Sequence, residues 1–245
     1  MPKKKGGGTK VTLKAAKKAV QKTPEGLRRL TYSKLRMATF PVCLVKLPNL
    51  HELHLCRNLM KELPENLGNL SSLKWLDLHT NKLESVPESI GKLVALTHLN
   101  LSNNCLTSAG LPSTLGSLSK LKTLNLGLNK LDSLPPSMEA LESLEELSLF
   151  DNLFTTIPEF IDALPNLTKL NTKRNPLSCV QDIKKSEAGE SSLCLSDEHK
   201  EGESVGVKSK ERCLRYAGLT VPNSVAKLNQ DEWRIRKKFK QETVN

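Results

Sequence analysis

Among the residues of a 245-residue chain, His54, His79 and His98 recur with Asp77 and Trp75 at spacings close to a common period. Imidazoles beside a carboxylate are the donor set of a metal site or of a general acid–base pair. A metal site needs a geometry that spacing alone does not supply. Catalysis is not the expected chemistry, because neither a nucleophile nor an enclosed pocket accompanies Asp77 and His79. An aromatic ring among polar groups suits recognition better, since aromatics concentrate at the hot spots of protein interfaces. The expected chemistry is therefore protein binding, with no cofactor.

The elements that must position these residues follow from a second pattern. Asn58, Asn81, Asn104, Asn129, Asn152 and Asn175 are separated by 23, 23, 25, 23 and 23 residues, each inside the pattern LxxLxLxxNxL. Such self-similarity marks a stacked repeat architecture. Each unit opens with a short strand whose alternate leucines point inward. An apolar residue and a proline follow, as in Leu63-Pro64, Val86-Pro87 and Leu134-Pro135. The proline fixes φ and removes a donor, which suits the start of a short helical turn on the opposite, convex side. The asparagines are expected to form a structural ladder, because a buried amide has two donors and an acceptor for the backbone of adjacent turns. The expected fold is an α/β, right-handed solenoid of about seven repeats. Its parallel sheet lines the concave face, and short helical or 3-10 segments line the convex face.

Counting back from each asparagine separates core from surface. The residue between the last two leucines reads Thr31, His54, Asp77, Asn100, Asn125, Ser148, Asn171. Two positions earlier the column is Arg29, Glu52, Trp75, His98, Thr123, Glu146, Lys169, and two positions later it is Ser33, Cys56, His79, Ser102, Gly127, Phe150, Lys173. Strands about 4.8 Å apart bring neighbours in these columns within reach. His54, Trp75, Asp77, His79, His98 and Asn100 form the candidate partner-binding patch, and Leu128, Phe150 and Asp151 a second, more apolar one. Seven strands span roughly 30 Å, which approaches the roughly 800 Å² per partner of a standard protein interface and is too open for a small-molecule pocket.

The ends depart from the pattern. Leu35 stands where the first repeat should have asparagine, and Thr172 where the seventh should have leucine. The fourth repeat carries two extra residues within Thr107-Ser108-Ala109-Gly110, expected to bulge from an edge without breaking strand register. The division expected is a basic tail with a capping helix over 1–26, repeats over 27–177, a Ser/Glu/Lys/Gly-rich linker over 178–222 and a helix over 223–245.

The net charge of +11 is unevenly spread: residues 1–30 carry +9, residues 31–175 sum to zero and residues 176–245 carry +2. A basic segment attracts nucleic acid or anionic membrane without choosing between them. Within it, Val11, Ala15, Ala16, Ala19 and Val20 would share one side of a helix over residues 10–22, either capping the first repeat or meeting such a partner. No signal peptide or membrane span is legible. The six cysteines are expected to be reduced thiols in a cytoplasmic protein; Asn175-Pro176 ahead of Cys179 leaves an extracellular cysteine-stapled end as the alternative. Lys3-Lys4-Lys5 is a minimal nuclear signal, which keeps a nuclear location open.

The 23-residue period with convex segments of the form LPxxLGxL, such as Leu63-Pro64-Glu65-Asn66-Leu67-Gly68-Asn69-Leu70, resembles intracellular leucine-rich repeats of the Ras-group type. Within that family, Trp75-Leu76-Asp77-Leu78-His79, the segment from Leu106 to Pro112 and Lys173-Arg174-Asn175-Pro176 resemble a branch of small cytoplasmic members. That resemblance implies a role in spermatogenesis with no enzymatic activity and no cofactor; together with the open concave face, the expectation is a monomeric protein-binding scaffold in signalling or spermatogenesis.

Overall fold

In a computed structural model, the structure describes residues 11–177. The linker and C-terminal helix expected over 178–245 lie outside the described residues, as do residues 1–10. Eight short strands form one sheet in sequence order among the described residues. They are β1 (Gln21–Lys22), β2 (Arg28–Thr31), β3 (Glu52–His54), β4 (Trp75–Asp77), β5 (His98–Asn100), β6 (Thr123–Asn125), β7 (Glu146–Ser148) and β8 (Lys169–Asn171). From β2 onward every pairing is parallel and joins equivalent positions of successive repeats. Leu30, Leu53, Leu76, Leu99, Leu124, Leu147 and Leu170 stand side by side.

That leucine row, with its companions Leu55, Leu78, Leu101, Leu126 and Leu149, faces the core and is buried throughout the inner repeats. The inner convex wall consists of single 3-10 turns, Glu65–Asn69, Glu88–Lys92, Ser113–Ser117 and Pro136–Ala140, each entered through a proline and burying one apolar residue such as Leu67, Ile90, Leu115 or Met138, and between β7 and β8 a single α-helical turn, Phe160–Ala163, takes the same place. Twenty-three residues leave no room for a longer helix between strands, so one tight turn supplies the return. Leu76 or Leu99 shortened to alanine would forfeit roughly 2–5 kcal/mol, the usual range for a buried leucine.

The convex turns pack closely enough that glycine is required between them. A Cβ on Gly91 would lie 2.7 Å from Thr114, and one on Gly116 would strike the Ser137 carbonyl. This is the physical content of the glycine in the LPxxLGxL segment.

Two differences from expectation concern the N-terminal end. The helix is shorter than residues 10–22: α1 runs Leu13–Ala19, with the Thr12 hydroxyl accepting from the Ala15 N–H. Its buried residue is Ala16, while Ala15 is exposed, so the apolar side is rotated from the expected stripe. The chain then turns back, and β1 pairs antiparallel with β2. Gln21 and Lys22 are polar and exposed, so no alternation announced this strand. With α1 packed beside β2, this end of the sheet is covered by the chain's own helix and hairpin, as solenoid ends require.

The insertion in the fourth repeat leaves register intact, with Trp75, His98 and Thr123 still aligned. It is tied on both sides: the Gly110 carbonyl accepts from the Val86 N–H at 2.9 Å, and Ser108 Oγ accepts from the N–H groups of Asp132 and Ser133 at 3.1 and 3.0 Å. A further hydrogen bond joins the Ser108 hydroxyl to the Asp132 carboxylate.

Candidate functional site

The asparagines lie inside, between turns. Each Oδ1 accepts a backbone N–H from the preceding repeat: Met60 to Asn81, Leu83 to Asn104, Leu106 to Asn129, Leu131 to Asn152, Phe154 to Asn175, and both Leu35 and Met37 to Asn58. Each Nδ2 donates to its own turn and to the repeat before it, as Asn104 does to Leu101 and Leu78 at 2.9 and 3.2 Å. The residue before each asparagine takes a left-handed backbone: Arg57, Thr80, Asn103, Leu128, Asp151 and Arg174 all have φ between 54° and 59°. That turn swings the amide inward at a cost of about 1–2 kcal/mol for an L residue, offset by the hydrogen bonds it permits.

The first candidate patch is assembled as the columns require. Trp75 stacks on His98 with ring centroids 4.2 Å apart and planes 13° from parallel, and His54 lies on its other side at 6.2 Å. The indole remains 39% exposed. The Thr97 hydroxyl donates to the Lys74 carbonyl at 2.9 Å, so towards His98 Nδ1, 2.8 Å away, it accepts. This holds His98 in the Nδ1–H form and turns Nε2 outward as an acceptor. Burial lowers the His98 pKa and nearby Glu146 only partly opposes it, which favours the neutral ring.

Asp77 accepts from His79 twice, from Nδ1 at 2.7 Å and from the backbone N–H at 3.2 Å. His54 approaches its other oxygen at 3.7 Å. Burial raises the Asp77 pKa, but His54 and His79 outweigh burial and hold the carboxyl below its ordinary value.

The same backbone contact recurs at Asn100, Asn125 and Asn171, whose Oδ1 atoms accept from Ser102, Gly127 and Lys173. This column therefore closes the strand exit as well as facing the concave surface. Asn100 has its carbonyl committed to Ser102, and recognition there falls to Nδ2. Sequence reasoning did not anticipate this double duty, although the run of Asp and Asn in one column was its signal.

Glu52, expected on the open face, is instead buried at 8% exposure, paired with Arg29 and 3.6 Å from His54. Cys56 was passed over for the patch, yet with Asp77 and His79 it forms a group whose candidate ligand atoms all lie within 4.8 Å of one another. Ser33 Oγ sits 2.9 Å from Cys56 Sγ. Cys43, Cys56 and Cys105 are free thiols.

The second candidate patch is less apolar than expected. The Arg174 guanidinium lies over the Phe150 ring at 5.2 Å and reaches Asp151 at 3.6 Å. Leu128, 42% exposed, donates its N–H to the Phe150 carbonyl. Elsewhere charges pair across the 23-residue step, Lys122 with Glu145 just before β6 and β7, and Lys169 on β8 with Glu146 on β7.

Comparison with known proteins agrees with this architecture. A model of the family described as leucine-rich repeat region matches residues 27–195. Among solved structures, a leucine-rich-repeat protein of Leptospira interrogans is 34% identical with a TM-score of 0.54, over 60% of this chain and 38% of that one. The ectodomain of the Arabidopsis thaliana receptor kinase GASSHO1/SCHENGEN3, solved in complex with CASPARIAN STRIP INTEGRITY FACTOR 2, is 32% identical with a TM-score of 0.55, over 61% of this chain and 18% of that one. Pollen Receptor Kinase 3, 23% identical with a TM-score of 0.53 over 65% and 78% of the two chains, shares the fold. The chain thus spans well under half the length of the first two. With the family model covering more than half of its residues, this chain belongs to the leucine-rich repeat family.

Proposed function

We propose that this chain is a non-enzymatic scaffold that binds a protein partner on the concave face of its repeats. The observation that carries the reading is Trp75, a large ring stacked on His98 and flanked by His54 on three consecutive strands and still partly open to solvent. A pre-positioned aromatic loses little conformational freedom on binding, which is the property of an interface anchor. The receptor ectodomain of similar fold, solved with a bound partner, supports the same use. The resemblance of residues 1–177 to leucine-rich repeat-containing protein 18 supports a cytoplasmic role in signalling or spermatogenesis, acting as a monomer.

Partners captured by the full-length protein test the reading. Trp75→Ala combined with His98→Ala removes the anchor and its stacked neighbour, while Val94→Ser alters an exposed residue off the strands. The expected result is a partner lost at least tenfold by the first variant and retained by the second. A partner set indifferent to the first variant refutes the concave assignment.

A second reading is favoured by the +9 of residues 1–30: a tether to nucleic acid or anionic membrane. Lys14, Lys17 and Lys18 project from α1 while Ala16 packs inward. This reading expects association that weakens steeply with salt and is lost on replacing these lysines with glutamine. Salt-insensitive association excludes it.

A further inference from the structure

We infer that Cys56, Asp77 and His79 form a site for a zinc-class divalent cation on the concave face. The three side chains come from two adjacent repeats, and each is partly sheltered. Their candidate ligand atoms lie within 4.8 Å of one another, close enough that small side-chain adjustments would bring all three onto one ion with ligand bonds of about 2.0–2.3 Å. A thiolate, an imidazole and a carboxylate together select borderline-soft cations over magnesium or calcium. Three protein ligands leave a coordination position open for water or for a partner's side chain.

The fold does not require this chemistry at these positions. In the Asp77 column, Asn100, Asn125 and Asn171 close the same backbone turn without a charge. In the column of Cys56 and His79, the other repeats carry serine, glycine, phenylalanine or lysine. The negative charge, the thiol and the imidazole are therefore surplus to the architecture and coincide at one point.

The surroundings supply an outer shell. Ser33 is placed to donate to a Cys56 thiolate from 2.9 Å, a contact that would lower the free energy of the charged sulfur. His54, 3.7 Å from Asp77, has a buried Nε2 with no hydrogen-bond partner. It stands between the Asp77 and Glu52 carboxylates, at distances too long for hydrogen bonds to either.

Proton balance is defined. Asp77 enters as the carboxylate and loses no proton. Cys56 gives up its thiol proton to solvent. Neutral His79, whose Nδ1 now faces Asp77 at 2.7 Å, keeps one ring proton: ligation through Nδ1 moves it to Nε2, and ligation through Nε2 leaves it in place. Ligation itself therefore displaces one proton, that of the Cys56 thiol.

Cobalt(II) is the probe, titrated into the full-length protein as a spectroscopic substitute for zinc. The expected result is stoichiometric uptake, with tetrahedral visible bands and a thiolate-to-cobalt charge-transfer band in the near ultraviolet, both bleached by added zinc. Cys56→Ser abolishes the charge-transfer band, and His79→Asn weakens uptake at least tenfold. Asp77→Asn keeps the turn hydrogen bond used elsewhere in the column and also weakens uptake at least tenfold, so it tests the site even if Cys56→Ser unfolds. Replacing Cys179, Cys194 and Cys213 with serine leaves the band intact. No stoichiometric uptake, a band that survives Cys56→Ser, or one that disappears only with the other three cysteines overturns the inference. Partner binding is read separately, so its failure does not bear on this result.

Discussion

A single imidazole links the recognition surface to stability. Burial depresses the His98 pKa from 6.5. The folded state therefore holds fewer protons on this ring than the unfolded chain does. Its stabilising contribution is complete above the unfolded value and is lost as pH falls through the depressed folded value. Thermal melts from pH 8 to pH 5 should show a decline that is shallower in His98→Gln, the two curves converging at the acid end; parallel curves would contradict the assignment. The asparagines act in the opposite sense, by satisfying groups that water cannot reach. In Asn104→Ala the Leu83 N–H loses its buried acceptor, while the carbonyls of Leu78 and Leu101 each keep a second donor, Nδ2 of Asn81 and of Asn129. With one group orphaned, the loss should be about 1–3 kcal/mol in urea denaturation. A change below 1 kcal/mol would mean that water enters the gap.

At the scale of elements, the controlling fact is the spacing of the convex turns. Successive strands are fixed by hydrogen bonding, but the turns behind them approach until backbone meets backbone, with the Ser137 carbonyl against Gly116. Gly116→Ala should cost about 1–3 kcal/mol, the usual range for forcing an extra carbon into a packed region, and chemical denaturation measures it. Glu139 occupies the equivalent place one repeat later and is exposed, so Glu139→Ala should change stability by less than 0.5 kcal/mol. The contrast separates close approach from helix propensity, since alanine favours a helical turn at both positions.

For the molecule as a whole, the recurring asparagine made register legible, and register predicted which side chains share a face. Trp75, His98 and Asp77 came together because strand pairing follows the 23-residue step. What remained illegible has identifiable causes. β1 is two polar residues held by backbone bonds, which leave no trace in hydropathy. Glu52 looked like a surface charge because its burial depends on the reach of Arg29 and His54, a matter of side-chain conformation. The shared duty of Asp77 and Asn100 arises from the turn that follows the strand, where φ and ψ decide the outcome. Cys56 stands beside His79 in one column, but its approach to Asp77 in the neighbouring column depends on side-chain conformation.

The unbroken strand register also makes the protein a gauge. Trp75 on β4 and Phe150 just after β7 are held three strand steps apart, about 14 Å at the usual spacing. Removing residues 123–145 would set Glu146 where Thr123 now lies and shorten that gap by one step, keeping Trp75, Phe150 and Asp151 though not Leu128. The reach required of any partner touching both is thus written in the number of repeats, independently of what the patches contain.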